Sequence, residues 1–211
     1  MQQVKTIENN LQNYYDSHLD NYGPGAMGVG WKNAAAQQIR FDQLAKIIDP
    51  RQSFTINDLG CGVGDCYTYL AATQQMDFQY YGYDMLKSMV DKANSRFRNS
   101  ENAHWIKIDN PHELLPADYS IASGIFNLKY TIEESEWKNY VIDTLHQMNG
   151  KSKRGFAFNM LTIYSDKEFM KEELFYADPL YFFDLCKKNF SRNIALLHDY
   201  YEYDFTILVR K

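Results

Sequence analysis

The stretch Asp58–Gly64 reads DLGCGVG and decides the fold of this 211-residue chain. It follows the apolar run Phe54–Leu59, which predicts a strand, and precedes Asp65–Thr73, which predicts a helix. Glycines tolerate positive φ and let a ligand approach the backbone closely. The N-terminus of the following helix presents unpaired N–H groups to a polar or anionic group. A strand, a glycine loop and a helix in this order predict a ligand-binding turn of an α/β protein, with a purely structural glycine turn as the alternative.

Outward from this loop, short apolar runs alternate with helical patterns. This alternation predicts a mostly parallel sheet with right-handed crossovers. The last two strands are joined only by Asp199–Tyr203, which is too short for a parallel crossover and predicts an antiparallel hairpin. We therefore predict one α/β domain with a seven-stranded, mostly parallel sheet, an antiparallel C-terminal hairpin and helices on both faces. The predicted strands are Phe54–Leu59, Phe78–Tyr83, His104–Ile108, Asp118–Ser123, Gly155–Leu161, Ile194–His198 and Asp204–Arg210, and the predicted helices are Ala34–Ile48, Asp65–Thr73, Leu86–Phe97, Ile132–Met148 and Pro179–Asn189.

The first 32 residues differ from the rest of the chain. They are polar and aromatic, with a helix predicted only over Gln3–His18 and a turn-rich stretch at Tyr22–Trp31. We treat residues 1–32 as a helical and aromatic cap segment, and residues 33–211 as the α/β domain proper. The whole chain contains 17 Tyr and 13 Phe. Because Tyr pairs an apolar ring with a polar tip, this composition suits half-wet pockets and interfaces, or strands lined with Tyr.

Charge and hydropathy narrow the range of partners. The formal net charge is −5, so the chain lacks the excess of cationic side chains typical of nucleic-acid binding. The first residues contain no apolar signal segment, and no apolar run approaches the ~18 residues of a membrane span. We therefore expect no membrane contact and a cytoplasmic location. Cys61, Cys66 and Cys186 lack zinc-site spacing and are expected to be free thiols.

Two acids follow the glycine loop at the ends of the next two strands. Asp84 comes 20 residues after Gly64, where a carboxylate can accept both hydroxyls of a ribose. It can also cap the next helix, and the two roles are compatible. Asp109 ends the third strand, where an adenine edge would lie, or it serves as a turn residue before Pro111. The positions of both acids indicate a cofactor that contains a nucleoside.

The spacing of the loop distinguishes a dinucleotide from S-adenosylmethionine. The dinucleotide fingerprint is G-x-G-x-x-G/A, whereas this loop reads G-x-G-x-G. Carboxylates at Asp58 and Asp65 would repel a pyrophosphate. S-adenosylmethionine has no phosphate and carries an ammonium and a sulfonium, so nearby acids favour it.

These motifs, together with the late hairpin, resemble the class I S-adenosylmethionine-dependent methyltransferases over about residues 33–211. The sequences GIFNLK at 124–129 and HDY at 198–200 add a looser likeness to small bacterial members of unknown substrate. The resemblance implies a Rossmann-like fold and S-adenosylmethionine as the cofactor. It implies a cofactor site with Asp58 and Gly60 at the methionine ammonium, Cys61 and Gly62 in the loop, Asp84 at the ribose, Met85 on the adenine, Asp109 or Asn110 at the adenine edge, and Ser123 and Gly124 at the methionine end.

Residues outside these motifs supply further hypotheses. Arg40, with Trp31 just upstream of its helix, could pair with the methionine carboxylate, because a planar cation suits a carboxylate. A surface Arg with a local acidic partner is the alternative. Methyl transfer mainly requires alignment of the nucleophile, and a base is needed only when the nucleophile must lose a proton. The candidate bases are His198, after the sixth strand, and His18, in the cap segment, with structural histidines as the alternative.

The acceptor is expected to contact loops that follow the strand ends. The predicted substrate residues are Phe126, Asn127, Tyr164 and Tyr200. After the fourth strand the chain reads SGIFN, without the Asn/Asp-Pro-Pro-Tyr sequence of many amino-methyltransferases, and it lacks the acids that hold the metal of the catechol type. We therefore predict a small-molecule acceptor, with oxygen favoured over nitrogen, and no metal.

Two other functions stay open from the sequence. One is a non-catalytic partner subunit or sensor that binds S-adenosylmethionine, because fold and cofactor binding do not establish turnover. The other is an NAD-dependent oxidoreductase, which the loop spacing and the terminal hairpin disfavour. The aromatic composition permits a dimer without indicating one.

Overall fold

The secondary structure alternates strands and helices as predicted. In the computed structural model, residues 11, 12, 14, 15, 17–23, 25–200 and 202–211 are described. Of the predicted helix Gln3–His18, residues 1–10, 13 and 16 lie outside the described residues, and residues 11, 12, 14, 15 and 17–22 are helical. The strands are β1 (Phe54–Leu59), β2 (Phe78–Asp84), β3 (Ala103–Lys107), β4 (Ala117–Ala122), β5 (Ser152–Leu161), β6 (Asn193–Leu197) and β7 (Asp204–Arg210). The helices after the cap segment are α1 (Ala34–Ala45), α2 (Asp65–Thr73), α3 (Lys87–Arg96), α4 (Glu134–Lys151) and α5 (Pro179–Asn189), with short 3-10 helices at Pro111–Glu113 and Lys167–Phe169.

The seven strands of the described chain form one sheet in the order β3-β2-β1-β4-β5-β7-β6. β1 pairs in parallel with β2 and β4, β2 pairs in parallel with β3, and β4 pairs in parallel with β5. β7 runs antiparallel to both β5 and β6, so β7 lies inside the sheet and β6 forms its edge. The predicted seven-stranded sheet with an antiparallel C-terminal hairpin is confirmed.

Alternating strand side chains build a separate apolar core on each face of the sheet. On β5, Phe156 and Phe158 join the core that α4 and α5 cover, whereas Ala157 joins the core that α1, α2 and α3 cover. Burial of a Phe side chain of this kind contributes about 1.5–3 kcal/mol to folding. The helices therefore lie on both faces, as predicted, and they hold the strand ends in fixed positions.

The largest difference in a strand boundary is at the start of β5, which begins at Ser152 instead of Gly155. The polar residues 152–154 hide this start from the apolar pattern, although Ser152 is buried with its Oγ 2.7 Å from Oγ of Ser120. Gly155 lies within β5, and a Cβ there would lie 2.4 Å from the carbonyl oxygen of Val209 on β7. The glycine thus allows the close approach of the antiparallel strand.

The strand order reverses between β1 and β4, and ligands of open α/β sheets bind in the crevice beside such a switch point. The loops that follow β1 and β4 meet at this crevice. The cap segment lies over it, because Leu19 packs in one apolar cluster with Val63, Leu86 and Met89. Among the helices of the described residues, none has the length and apolarity needed to cross a membrane.

Candidate active site

A cavity of about 610 Å³ opens at the carboxyl ends of β1, β2 and β4. Small-molecule sites commonly enclose ~300–1,000 Å³, so the cavity has the size of a ligand site. The glycine loop, the turn after β2, the residues after β4 and the cap segment form its walls. The predicted cofactor residues that line it are Trp31, Arg40, Asp58, Gly60, Cys61, Gly62, Asp84, Met85, Ser123 and Gly124, and the predicted substrate residue Asn127 also lines it.

The glycine loop is held tightly against its neighbours. Gly60 and Gly62 have φ angles of 78° and 52°. The amides of Gly60 and Cys61 both donate to the carbonyl oxygen of Tyr83, at 2.8 and 3.0 Å. A Cβ at Gly60 would lie 2.1 Å from Cγ2 of Ile125, which follows β4. Glycine is therefore required at position 60 by both its backbone angle and this close contact.

Asp58 presents a buried carboxyl at the end of β1, where it lines the cavity. The Tyr80 hydroxyl donates a hydrogen bond to this carboxyl. Burial raises the pKa of Asp58 to about 7, and the negative charge of Asp84 acts in the same direction while the Tyr80 hydrogen bond opposes it. A bound cation would stabilise the ionised form of this carboxyl.

Asp84 closes the other side of the glycine loop. Its Oδ2 accepts a hydrogen bond from the Gly62 amide and its Oδ1 accepts one from the Leu86 amide, each at 2.9 Å. The side chain thus links the loop to the turn before α3, whose N-cap is Leu86, so Asp84 is not the capping residue of this helix. Burial raises the pKa of Asp84, although these backbone donors oppose that effect. Carboxylate oxygens hold more than one hydrogen bond each, so the same side chain can also accept from a ligand hydroxyl.

The residues after β4 contribute a glycine and an unsatisfied hydroxyl. Gly124 has a φ of 75°, and a Cβ there would lie 2.7 Å from the Trp31 ring. Its amide donates to Oδ1 of Asn159 at 2.8 Å. The Oγ of Ser123 is buried and lacks a hydrogen-bond partner among the described residues. Because a buried hydroxyl is normally hydrogen-bonded, Ser123 is a position where a polar ligand atom would be stabilised.

Arg40 lines the cavity, yet its guanidinium is already bound by the protein. Nε donates to Oδ2 of Asp204 at 2.9 Å, Nη2 donates to Glu202 at 3.3 Å, and the group lies 4.4 Å from the Trp31 ring centroid. Burial raises the pKa of Asp204, and the Arg40 charge opposes this shift. The acidic partner anticipated as the alternative therefore exists, but it is buried and distant in sequence. Pairing of Arg40 with a methionine carboxylate stays a prediction.

Asp109 and Asn110 do not line the cavity, so the structure gives no support to their predicted contact with adenine. Asp109 is exposed and forms an ion pair with Lys107. The Asn110 side chain accepts from the His112 amide at 2.9 Å, and Glu113 accepts from the Asn110 amide at 3.0 Å. The capping box thus occupies the Asn110 side chain, and the ion pair with Lys107 occupies that of Asp109. The neighbouring residues Ile108 and Pro111 line the cavity instead.

His198 and Tyr164 also lie outside the cavity, so the structure gives no support to their predicted roles. His198 is exposed, with its ring centroid 6.0 Å from that of Tyr164, which is itself 61% exposed. The cause is the strand order: β7 separates β6 from β5, so the end of β6 lies at the sheet edge, far from the switch point. A loop at the carboxyl end of a strand therefore reaches the cavity only if its strand also lies near the switch point.

Tyr200 and Phe126 are core residues instead of substrate contacts. The Tyr200 hydroxyl is buried 3.0 Å from Oγ1 of Thr206. Phe126 is fully buried, and its carbonyl oxygen accepts from Nε1 of Trp137 at 2.8 Å. Both aromatic rings pack in the protein interior. Of the four predicted substrate residues, Asn127 is the one that lines the cavity.

The described residues of the cap segment supply further cavity residues that were not predicted from the sequence, in addition to the predicted His18 and Trp31. Tyr14 stacks on His18 with ring centroids 4.0 Å apart, and Tyr130 meets Tyr14 edge-on at 6.3 Å. Nδ1 of His18 lies 3.0 Å from the carbonyl oxygen of Tyr14. The high Tyr content was the available signal, but the contacts depend on how the cap segment folds over the sheet. The missed cavity residues of the cap segment are Leu11, Tyr14, Tyr15, Val29, Gly30 and Lys32.

Side chains of the usual metal-ligand types do not cluster in this part of the molecule. Within the described residues, no group of three or more His, Cys, Asp and Glu side chains could hold a metal ion. Cys61, Cys66 and Cys186 are buried free thiols, and burial raises the pKa of each of them.

The sheet order, the reversed last strand and the acids around a glycine loop at the switch point define the architecture of class I methyltransferases. Solved structures share this fold over nearly the whole chain. The N-methyltransferase NodS from Bradyrhizobium japonicum WM9 gives a TM-score of 0.67 at 13% identity, covering 96% of this chain and 98% of that one. Magnesium protoporphyrin IX methyltransferase (ChlM) from Synechocystis PCC 6803 gives 0.65 at 16% identity, covering 98% and 100%.

A closer relative identifies the family. The chain is 46% identical over 169 residues to the protein named "Putative methyltransferase Rv1506c" of Mycobacterium tuberculosis (strain ATCC 25618 / H37Rv). The matched residues cover 79% of this chain and 98% of that protein. No family model matches the sequence. The chain therefore belongs to the class I, Rossmann-like methyltransferases, as its sequence motifs predicted.

Proposed function

We propose that this methyltransferase takes its methyl group from S-adenosylmethionine and transfers it to a hydroxyl oxygen of a small molecule. The observation that carries the choice of donor is the buried Asp58 carboxyl beside the glycine loop. An ammonium would stabilise its ionised form, whereas a pyrophosphate would be repelled. The NodS and ChlM structures, which contain S-adenosylhomocysteine, support this choice.

The residues of the cavity fit this donor. Asp58 would hold the ammonium, Asp84 the ribose hydroxyls and Met85 the adenine, and all three line one continuous cavity. The unsatisfied Ser123 hydroxyl would bind a polar group at the methionine end. When bound, the sulfonium supplies an electrophilic methyl group together with its own leaving group. The protein then has to align the acceptor and exclude water, which is the role we assign to the cap segment.

The size and openness of the site support turnover of a small acceptor. The cavity holds about 610 Å³ and continues from the glycine loop to Tyr14 and Tyr130. A non-catalytic subunit would be expected to fill the space beside the methyl group with its own side chains. The space here is lined by side chains and left open.

His18 supports oxygen as the acceptor atom. A carbonyl oxygen can only accept a hydrogen bond, so Nδ1 of His18 donates to the Tyr14 carbonyl at 3.0 Å. In the neutral ring Nε2 then carries the lone pair, and His18 lines the cavity. A base in this position is useful for a hydroxyl that must lose its proton, and we assign His18 this role.

The donor assignment is tested by Asp84→Ala. Loss of its hydrogen bonds to the ribose should weaken the binding of S-adenosylhomocysteine by about 1–3 kcal/mol in calorimetric titrations. Asp109→Ala is the matched control, because Asp109 is exposed outside the cavity and should leave the affinity unchanged. Equal affinities of Asp84→Ala and the unmodified protein would rule out the ribose contact.

The acceptor assignment is tested by His18→Gln. With tritiated S-adenosylmethionine and a panel of hydroxyl and amine compounds, kcat/KM for hydroxyl acceptors should fall about 10²–10⁴-fold. Binding of S-adenosylhomocysteine should be unchanged, and the control His198→Gln should retain full turnover, since His198 is exposed outside the cavity. Full turnover in His18→Gln, or methylation of amines alone, would contradict the assignment.

A further inference from the structure

We propose that the acceptor is a planar aromatic compound carrying the hydroxyl, and that an aromatic wall formed by Tyr14, His18 and Tyr130 binds its flat face. This inference rests on the proposed function, because it concerns the acceptor end of the same cavity. The three rings line the cavity, with Tyr14 stacked on His18 at 4.0 Å and Tyr130 edge-on to Tyr14 at 6.3 Å.

The aromatic wall lies at the methyl end of the cavity. A Cβ at Gly30 would lie 3.2 Å from the Tyr14 hydroxyl, so Tyr14 contacts the residue next to Trp31. The Trp31 ring in turn covers Gly124, at the end of β4. Ile108, which also lines the cavity, donates its amide to the Asp84 carbonyl oxygen at 3.0 Å and so lies near the proposed ribose contact. The contacts of Tyr14 therefore run through Gly30 and Trp31 to Gly124, where the methionine end of the proposed donor site lies.

Tyr130 is held in a backbone conformation that its own side chain disfavours. It has a φ of 52°, and among the described residues no other non-glycine residue has a positive φ. The amides of Lys129 and Tyr130 donate to the carbonyl oxygen of Glu173 at 3.0 and 2.9 Å, and Leu128 forms a bridge with Leu174. Strained residues of this kind concentrate at functional sites. Here the strain places an aromatic ring on the cavity where a glycine would fit the turn better.

The aliphatic part of the neighbouring wall favours an aromatic compound over a sugar. Beside the aromatic wall the cavity is lined by the aliphatic side chains of Leu128 and Leu174, together with the charged residue Glu173, whose carbonyl oxygen accepts from the Tyr130 amide. A sugar would bring several hydroxyls to this surface, and each one left unpaired is costly. A planar ring instead gains from stacked and edge-on contacts.

The chemistry of the proposed base agrees with an aromatic hydroxyl. A histidine removes a proton more readily from a phenol, with an ordinary pKa of about 10, than from an alcohol, which resembles water at about 15.7. The acceptor oxygen uses an electron pair to form the bond to the methyl carbon as the carbon–sulfur bond breaks and its pair stays on sulfur. The phenolic proton passes to Nε2 of His18.

The proposal is tested by probe titrations of the full chain saturated with S-adenosylhomocysteine, followed by NMR. The probes are 2-naphthol, the non-planar decahydro-2-naphthol and methyl β-glucopyranoside. We expect 2-naphthol to bind about tenfold tighter than the other two. Equal binding of the two naphthol probes, tighter binding of the glucoside, or no binding of 2-naphthol would overturn the proposal.

Variants separate a binding role of Tyr130 from a structural one. Tyr130→Gly should lower 2-naphthol affinity about fivefold or more, while S-adenosylhomocysteine affinity stays unchanged. It should also melt at a higher temperature than Tyr130→Ala, because glycine relieves the positive φ. Tyr164→Ala, an exposed tyrosine outside the cavity, is the control and should bind 2-naphthol normally. Unchanged 2-naphthol binding in Tyr130→Gly would overturn the proposal.

Failure of the proposed function gives a different result. If S-adenosylhomocysteine does not bind, the donor assignment fails. The same three probes titrated into the protein alone then still decide whether the aromatic wall prefers a planar ring.

Discussion

Asp58 shows how one buried carboxyl can make ligand binding depend on pH. It is almost fully buried at the cavity wall, and burial raises its pKa to about 7. Among the ion pairs of the described residues, none involves Asp58. Because the raised pKa disfavours the ionised form, the contribution of Asp58 to the stability of the ligand-free protein is greatest below its ordinary pKa of about 4 and is lost as pH rises to about 7. A bound ligand with an ammonium group would instead lower the pKa of Asp58, because the positive charge favours the ionised carboxylate.

Binding of S-adenosylhomocysteine should therefore release a proton below pH 7. Below this pH the affinity should fall by about tenfold per pH unit, because Asp58 must first lose its proton. Calorimetry at pH 5.5 and 7.5, repeated in buffers with different ionisation enthalpies, measures both the affinity and the proton release. Asp58→Asn should bind weakly and without this pH dependence. An unmodified protein whose affinity is the same at both pH values would contradict the role of Asp58.

At the scale of elements, the Arg40–Asp204 ion pair ties α1 to β7. Both side chains are buried, and Arg40 also covers the Trp31 ring above Gly124. Removing one partner of a buried pair leaves an uncompensated charge. The pair therefore stabilises the position of the cavity wall as well as the fold.

Arg40→Met should lower the free energy of unfolding by about 3–5 kcal/mol, measured by urea denaturation. Arg51→Ala removes an exposed ion pair with Asp49 and should cost less than about 1 kcal/mol. The double variant Arg40→Met/Asp204→Asn should recover part of the loss, because it removes both charges. If this folded double variant binds S-adenosylhomocysteine with unchanged affinity, Arg40 does not hold the methionine carboxylate. A cost in Arg40→Met no larger than in Arg51→Ala would contradict the structural role.

The sequence predicted which strands and helices form and in which direction the strands run. It did not predict where each strand lies in the sheet. The short loop Asp199–Tyr203 correctly predicted the hairpin, but its length does not say which strand of the hairpin joins β5. That choice depends on packing across the sheet. Because β7 and not β6 pairs with β5, His198 lies at the sheet edge. The 3-10 helix at Pro111–Glu113 did carry a local signal, since Asn110 and Glu113 stand at capping-box spacing. The aromatic wall could not be predicted, because Tyr14 and Tyr130 are far apart in sequence.

At the scale of the whole molecule, our proposal assigns the donor half of the site to the sheet and the acceptor half to the cap segment. The glycine loop, Asp58 and Asp84 lie at the strand ends, on rigid elements with buried surroundings. Leu19 of the cap segment packs against Val63 and Leu86, and Gln12 donates to Oγ of Ser88 at 3.1 Å. This division explains why local motifs predicted the proposed donor residues, while the proposed acceptor residues required the tertiary structure.

The most direct test of this account is a calorimetric titration of the purified protein with S-adenosylmethionine, S-adenosylhomocysteine and NAD. The account predicts micromolar binding of the first two, with one molecule bound per chain, and no binding of NAD. Binding of NAD alone, or of none of the three, would contradict the claim that the cavity around Asp58 and Asp84 is an S-adenosylmethionine site.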